Sequence, residues 1–158
     1  MTHYAISPID DAISRQVRTT LTDPIYGLEV PVSVAGPGNY GPCRSCLHTF
    51  TIGERRILFL YNPFSPEQHA DFAGPVFIHD GDCESYSQRA VFPPAIRSLP
   101  IVLKGYGADN RFIAEETPPG PDVETAIDTL FHRPDVAFIH VRNREAKCFI
   151  LRIARAHT

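Results

Sequence analysis

Two stretches of this chain carry apolar residues at helical spacing, and the rest breaks into short apolar runs cut by turn residues. Ile9, Ile13 and Val17 form one helical stripe. Ser7 is placed to cap it, Pro8 fits the first turn where no N–H is needed, and Asp10 and Asp11 suit its positive end. A second helix is predicted from about Pro121 to His132, with Val123, Ile127, Leu130 and Phe131 on one side. Asp122 and Glu124 stand near its start, His132 and Arg133 near its end, and Pro134 stops it.

The remaining runs are rich in β-branched, aromatic and leucine residues and are predicted strands. They lie around Leu28–Val34, Ile57–Tyr61, Val76–His79, Ile101–Tyr106, Arg111–Glu115, Val136–Asn143 and Cys148–Arg155. Gly107–Asn110 reads as a hairpin turn. Arg144–Lys147 is too short for a parallel crossover, so the last two strands are expected to form an antiparallel hairpin, central in the sheet. Its expected register opposes Asn143 to Cys148, His140 to Leu151 and Phe138 to Ile153. The predicted architecture is a single α+β domain over residues 1–158, mostly antiparallel, with two main helices packed on the sheet.

Composition narrows the function classes. Hydrophobic residues make up 43% and charged residues 21% of the chain, which suits a folded domain and excludes disorder. A net charge of −3 leaves no basic footprint, so nucleic-acid binding is disfavoured. No apolar run reaches the ~18 residues of a membrane span. The first residues turn acidic too early for a signal peptide, so a soluble, cytoplasmic protein with reduced cysteines is expected. Fifteen prolines favour rigid turns and short elements.

An ordered series of short segments is more specific than any of them alone. PCRSCL (Pro42–Leu47), GE (Gly53–Glu54) and YNPF (Tyr61–Phe64) are followed by GPVFIH (Gly74–His79), Cys83 and Tyr86. LKGY (Leu103–Tyr106), FIHVRN (Phe138–Asn143) and CF (Cys148–Phe149) complete it. From about Cys43 to Arg155 the chain resembles the bacterial family catalogued as domain of unknown function 1203. The resemblance implies a small stand-alone domain and supplies no activity, substrate or cofactor.

Several residue types could carry chemistry. Cys43-Arg44-Ser45-Cys46 is one CxxC, and His79 and Cys83 follow four apart, a set of soft donors suited to zinc. The His79–Cys83 pair is looser than a CxxC, and buried inert cysteines are the preferred reading, so no metal is expected. A thioredoxin-like dithiol would open a helix, whereas LHTFTIGE after Cys46 reads as strand or loop. AGPGNYGP (Ala35–Pro42) matches neither phosphate-cradling motif and reads as a surface connection. No serine stands in a GxSxG elbow, and Glu115 and Glu116 alternate across a strand instead of forming an acid–base pair. His3, His69, His132 and His157 have no evident partners.

The expected site is therefore a pocket. Val136, Phe138, His140 and Arg142 share one strand face, along which apolar residues give way to His and Arg. The alternative is a core face emerging into solvent. His79 likewise ends an apolar run and shares a face with Phe77. The catalytic candidates are Cys46, His79 and His140, and the ligand-binding candidates are Arg44, Arg142 and Asn143, facing a small anionic ligand without any cofactor. The competing reading is a non-catalytic interaction module whose Cys and His residues are structural, with or without zinc. Nothing in the sequence decides whether the protein is an enzyme or sets its oligomeric state.

Overall fold

The apolar runs pair into two antiparallel sheets in the computed structural model, which describes residues 3–64 and 71–156. In chain order the elements are β1 (Tyr4–Ser7), α1 (Asp11–Thr20), β2 (Val32–Val34), β3 (Arg55–Tyr61), β4 (Gly74–His79) and α2 (Pro94–Arg97). There follow β5 (Ile101–Tyr106), β6 (Phe112–Glu116), a 3-10 turn at Gly120–Asp122, α3 (Val123–Phe131), β7 (Phe138–Asn143) and β8 (Phe149–Arg155). The fold is α+β and its named strands pair antiparallel. Among the described residues no helix is long and apolar enough to cross a membrane. The chain gathers into two compact units, one made of Met1–Ser7 with Ser87–Thr158 and the other of Pro8–Tyr86.

The first unit holds five strands in the order β1-β8-β7-β5-β6, and α3 packs against β5, β6 and β7. Val123, Ile127, Leu130 and Phe131 of α3 are buried, as the helical stripe predicts. β1 is too short to stand out in the sequence, yet it pairs Ile6 with Ile153 and buries both. That strand also moves the start of α1. The chain is extended through β1, so Asp10 caps the helix in place of Ser7, its carboxylate accepting from the Ala12 N–H at 2.9 Å.

β7 is the central strand, and four of its consecutive residues, Phe138 to Val141, are buried. The closing turn keeps the expected register, since the Asn143 N–H donates to the Cys148 carbonyl at 2.9 Å. Beyond it Arg142 faces Phe149 but Val141 faces Leu151, leaving Ile150 as an extra residue. This β-bulge slips the rest of the hairpin by one position. His140 therefore opposes Arg152, not Leu151, and Phe138 opposes Ala154, not Ile153.

The slip bears on His140. Its side chain is fully buried, with ring centroids of Tyr106 and Phe138 at 5.1 Å and of Phe149 at 5.0 Å. At this position the strand face is packed among aromatic rings. Burial, reinforced by the positive charges of Arg142 and Arg152, pushes the imidazole pKa down to about 3. His140 is neutral in the fold at pH 7.

A pH dependence follows. The unfolded chain binds a proton at His140 below about 6.5, while the folded chain resists it down to about 3. Stability from this group is fully present above pH ~6.5 and is lost as the pH falls toward ~3, on the order of 5 kcal/mol in all. Urea unfolding measured between pH 7 and pH 4 should show this loss, and His140→Leu should flatten that part of the profile.

Candidate metal centre

In the Pro8–Tyr86 unit, β3 lies between β2 and β4 and pairs Ile57 with Ile78 and Phe59 with Val76. Those four side chains are buried on one face. The period of two turns Phe77 and His79 to the other face, beside Leu58 and Arg56 of β3. The Arg56 guanidinium lies over the Phe77 ring at 4.0 Å. The segment Cys43–Phe50 comes up against β4 here. Cys43 forms a parallel bridge with Phe77, and the Arg44 N–H donates to the Phe77 carbonyl at 2.9 Å.

That segment is a tight turn. The Leu47 N–H donates to the Cys43 carbonyl and the Cys43 N–H to the His48 carbonyl, both at 2.9 Å. Gly41 leads into it with φ +89°, and a Cβ there would lie 2.5 Å from a Phe50 ring carbon. No other residue fits the position without displacing Phe50, whose ring packs edge-on against His79 at 4.6 Å.

The turn and the end of β4 bring four donors together. Cys43 Sγ, Cys46 Sγ, Cys83 Sγ and a nitrogen of His79 all lie within 4.8 Å of one another. Cys43 and Cys83 are 3.9 Å apart at sulfur, and Cys46 Sγ is 3.5 Å from His79 Nδ1. Bond lengths to tetrahedral zinc require sulfur–sulfur edges of about 3.8 Å and sulfur–nitrogen edges of about 3.6 Å. The donor set suits that ion in chemistry, and these two edges match it in length.

Further hydrogen bonds hold the donors. The His79 N–H donates to Cys43 Sγ at 3.3 Å. Arg18 of α1 donates from Nε to the His79 carbonyl at 3.0 Å and from Nη2 to Cys83 Sγ at 3.2 Å. Asp80, within the looser spacing, is fixed by Arg55 at 2.8 Å. On the far side of the imidazole, His79 Nε2 meets Glu54 Oε2 at 3.1 Å, and Glu54 Oε1 accepts from the Thr51 N–H at 2.7 Å.

Protonation reflects the crowding. Hydrogen bonds from Cys46 and then Cys83 push the Cys43 thiol far below its ordinary range. The same contact with Cys43 pushes Cys46 and Cys83 up. Without a cation the cluster thus favours one thiolate flanked by two thiols. Cys43, foremost, and also Glu54 raise His79 against the opposing effect of burial.

Cys46, His79 and Cys83 open onto a cavity of about 900 Å³, also lined by His48, Thr51, Glu54, Arg55, Asp80, Asp82 and Glu84. Cys83 borders a second cleft of about 450 Å³ with Arg15 and Arg18. Of the residues predicted from the sequence, Cys46 and His79 do meet. His140, Arg142 and Asn143 belong to the other compact unit. Arg142 donates to the Lys147 carbonyl at 3.1 Å, and Asn143 Oδ1 accepts from the Glu145 and Ala146 N–H groups, bracing the hairpin turn. Arg44 is buried and donates to the Pro42 carbonyl at 2.6 Å. His3 and His132 are exposed, and His69 and His157 lie outside the described residues. Glu54 and Arg18 went unnoticed in the sequence, where only the GE pair before a strand marked Glu54 at all.

Residues 41–155 match the model of a family described as "Protein of unknown function (DUF1203)". The chain belongs to this family. No curated protein and no solved structure matches it. The matched span contains Cys43, Cys46, His79, Cys83 and Glu54, while Arg18 lies before it.

The two arginines that the sequence groups together should separate on mutation. Arg44→Ala removes a buried, charge-bearing donor and should cost about 1.5–3 kcal/mol of unfolding free energy. Arg142→Ala, whose bond to Lys147 is solvent-exposed, should cost less than about 1 kcal/mol. Urea titrations of both variants check this.

Proposed function

We propose that Cys43, Cys46, His79 and Cys83 bind one zinc ion and that the protein is a zinc-stabilised module of a reducing compartment. The observation that carries this reading is the spacing of the donors, which matches the edges of a zinc tetrahedron at 3.9 and 3.5 Å. Four protein ligands close the coordination sphere and leave no position for a substrate or an activated water, so the role is structural. The ion would join the Cys43–Cys46 turn to the end of β4 and give three crowded thiols a common counter-charge. A reducing compartment such as the bacterial cytoplasm keeps the thiols available as ligands.

A second reading is favoured by the cavity of about 900 Å³. In it Cys46 and His79 act as a thiol–imidazole pair on a small ligand.

Metal analysis separates the two. On the first reading the purified protein holds one zinc per chain, and Cys46→Ser and Cys83→Ser each lose it. Its removal by a strong chelator withdraws folding free energy on the order of 10 kcal/mol, so the melting transition of the Pro8–Tyr86 unit should fall sharply or vanish. Substoichiometric zinc with a melting temperature indifferent to chelator would sink the zinc reading and leave the thiol–imidazole pair.

A further inference from the structure

We infer that Glu54 is a positioning residue for this centre, selecting Nδ1 of His79 as the metal-binding nitrogen and setting the affinity of the site. The inference rests on the zinc reading above and goes beyond it, because Glu54 is not among the ligands. An imidazole has two nitrogens, and the one that binds a metal must offer a lone pair while the other carries the proton. Here Nδ1 faces Cys46 Sγ at 3.5 Å, on the side of the thiols. Nε2 faces Glu54 Oε2 at 3.1 Å, and a carboxylate there holds the proton on Nε2.

Glu54 is itself held. Its other oxygen accepts from the Thr51 N–H at 2.7 Å, and it stands one residue before β3, whose Arg56 pairs with His79 across the sheet. Its position is thus set by the same strand pairing that places His79. A carboxylate on the outer imidazole nitrogen raises the basicity of the inner one, and partners of this kind are typically worth roughly 10- to 100-fold in metal affinity.

The test is zinc competition against a chromophoric chelator, using the wild-type chain, Glu54→Ala, Glu54→Gln and Arg111→Ala. Glu54→Ala should bind zinc roughly 10- to 100-fold more weakly. Glu54→Gln, which keeps an acceptor without the charge, should lose less, and Arg111→Ala, exposed in the five-stranded unit, should stay within about twofold. A purely structural role is distinguished by NMR of the zinc-loaded proteins. The His79 Nε2 proton should be downfield and protected from exchange in the wild type and exposed in Glu54→Ala. If Glu54→Ala binds zinc like the wild type, or keeps a protected Nε2 proton, the inference is wrong while the zinc centre stands. If the wild type takes up no zinc, both readings fall together.

Discussion

Three thiols and an imidazole crowded within 4.8 Å impose the constraint on which the Pro8–Tyr86 unit turns. Sulfur donors this close cannot all ionise unless a cation sits among them, and Cys43 takes the negative charge at the expense of Cys46 and Cys83. The surrounding backbone serves that arrangement. The Cys43 turn docks on Phe77, the His79 N–H reaches Cys43 Sγ, and Arg18 reaches across from α1 to Cys83. The unit has a small sheet of three strands, and a metal tie is the kind of support that small cores use.

The same geometry weighs against a free nucleophile at Cys46. A catalytic thiol needs a lowered pKa and access to its substrate, whereas Cys46 is pushed up by Cys43 and is largely buried. Its neighbour His79 is engaged on both sides, by the thiols at Nδ1 and by Glu54 at Nε2. The acidic wall of the adjoining cavity (Glu54, Asp80, Asp82 and Glu84) suits the approach of a divalent cation better than that of an anionic ligand.

The five-stranded unit works differently. Its central strand is buried on both faces, and His140 fills a place among Tyr106, Phe138 and Phe149 that an apolar residue would ordinarily take. Arg142 and Asn143, on the same strand, support the closing turn of the hairpin. A face that runs from Phe to His to Arg can therefore be a core face approaching its turn.

Local patterns in the sequence determined the elements that depend on neighbours a few residues away. The stripe of α3, the Gly107–Asn110 turn and the final hairpin all follow from side-chain period and turn chemistry, and so does the mostly antiparallel α+β class. The ordered series from Pro42 to Phe149 was enough to point to the family. Tertiary structure alone decided the rest, because those features rest on contacts between residues far apart in sequence. β1 forms by pairing with β8, and Asp10 rather than Ser7 caps α1 because β1 keeps the chain extended. Ile150 becomes an extra residue only when β8 is laid against β7, and that slip sets the neighbours of His140. His79 and Cys83 read as a loose pair because spacing says nothing of Arg18, which lies 61 and 65 residues away and holds them both.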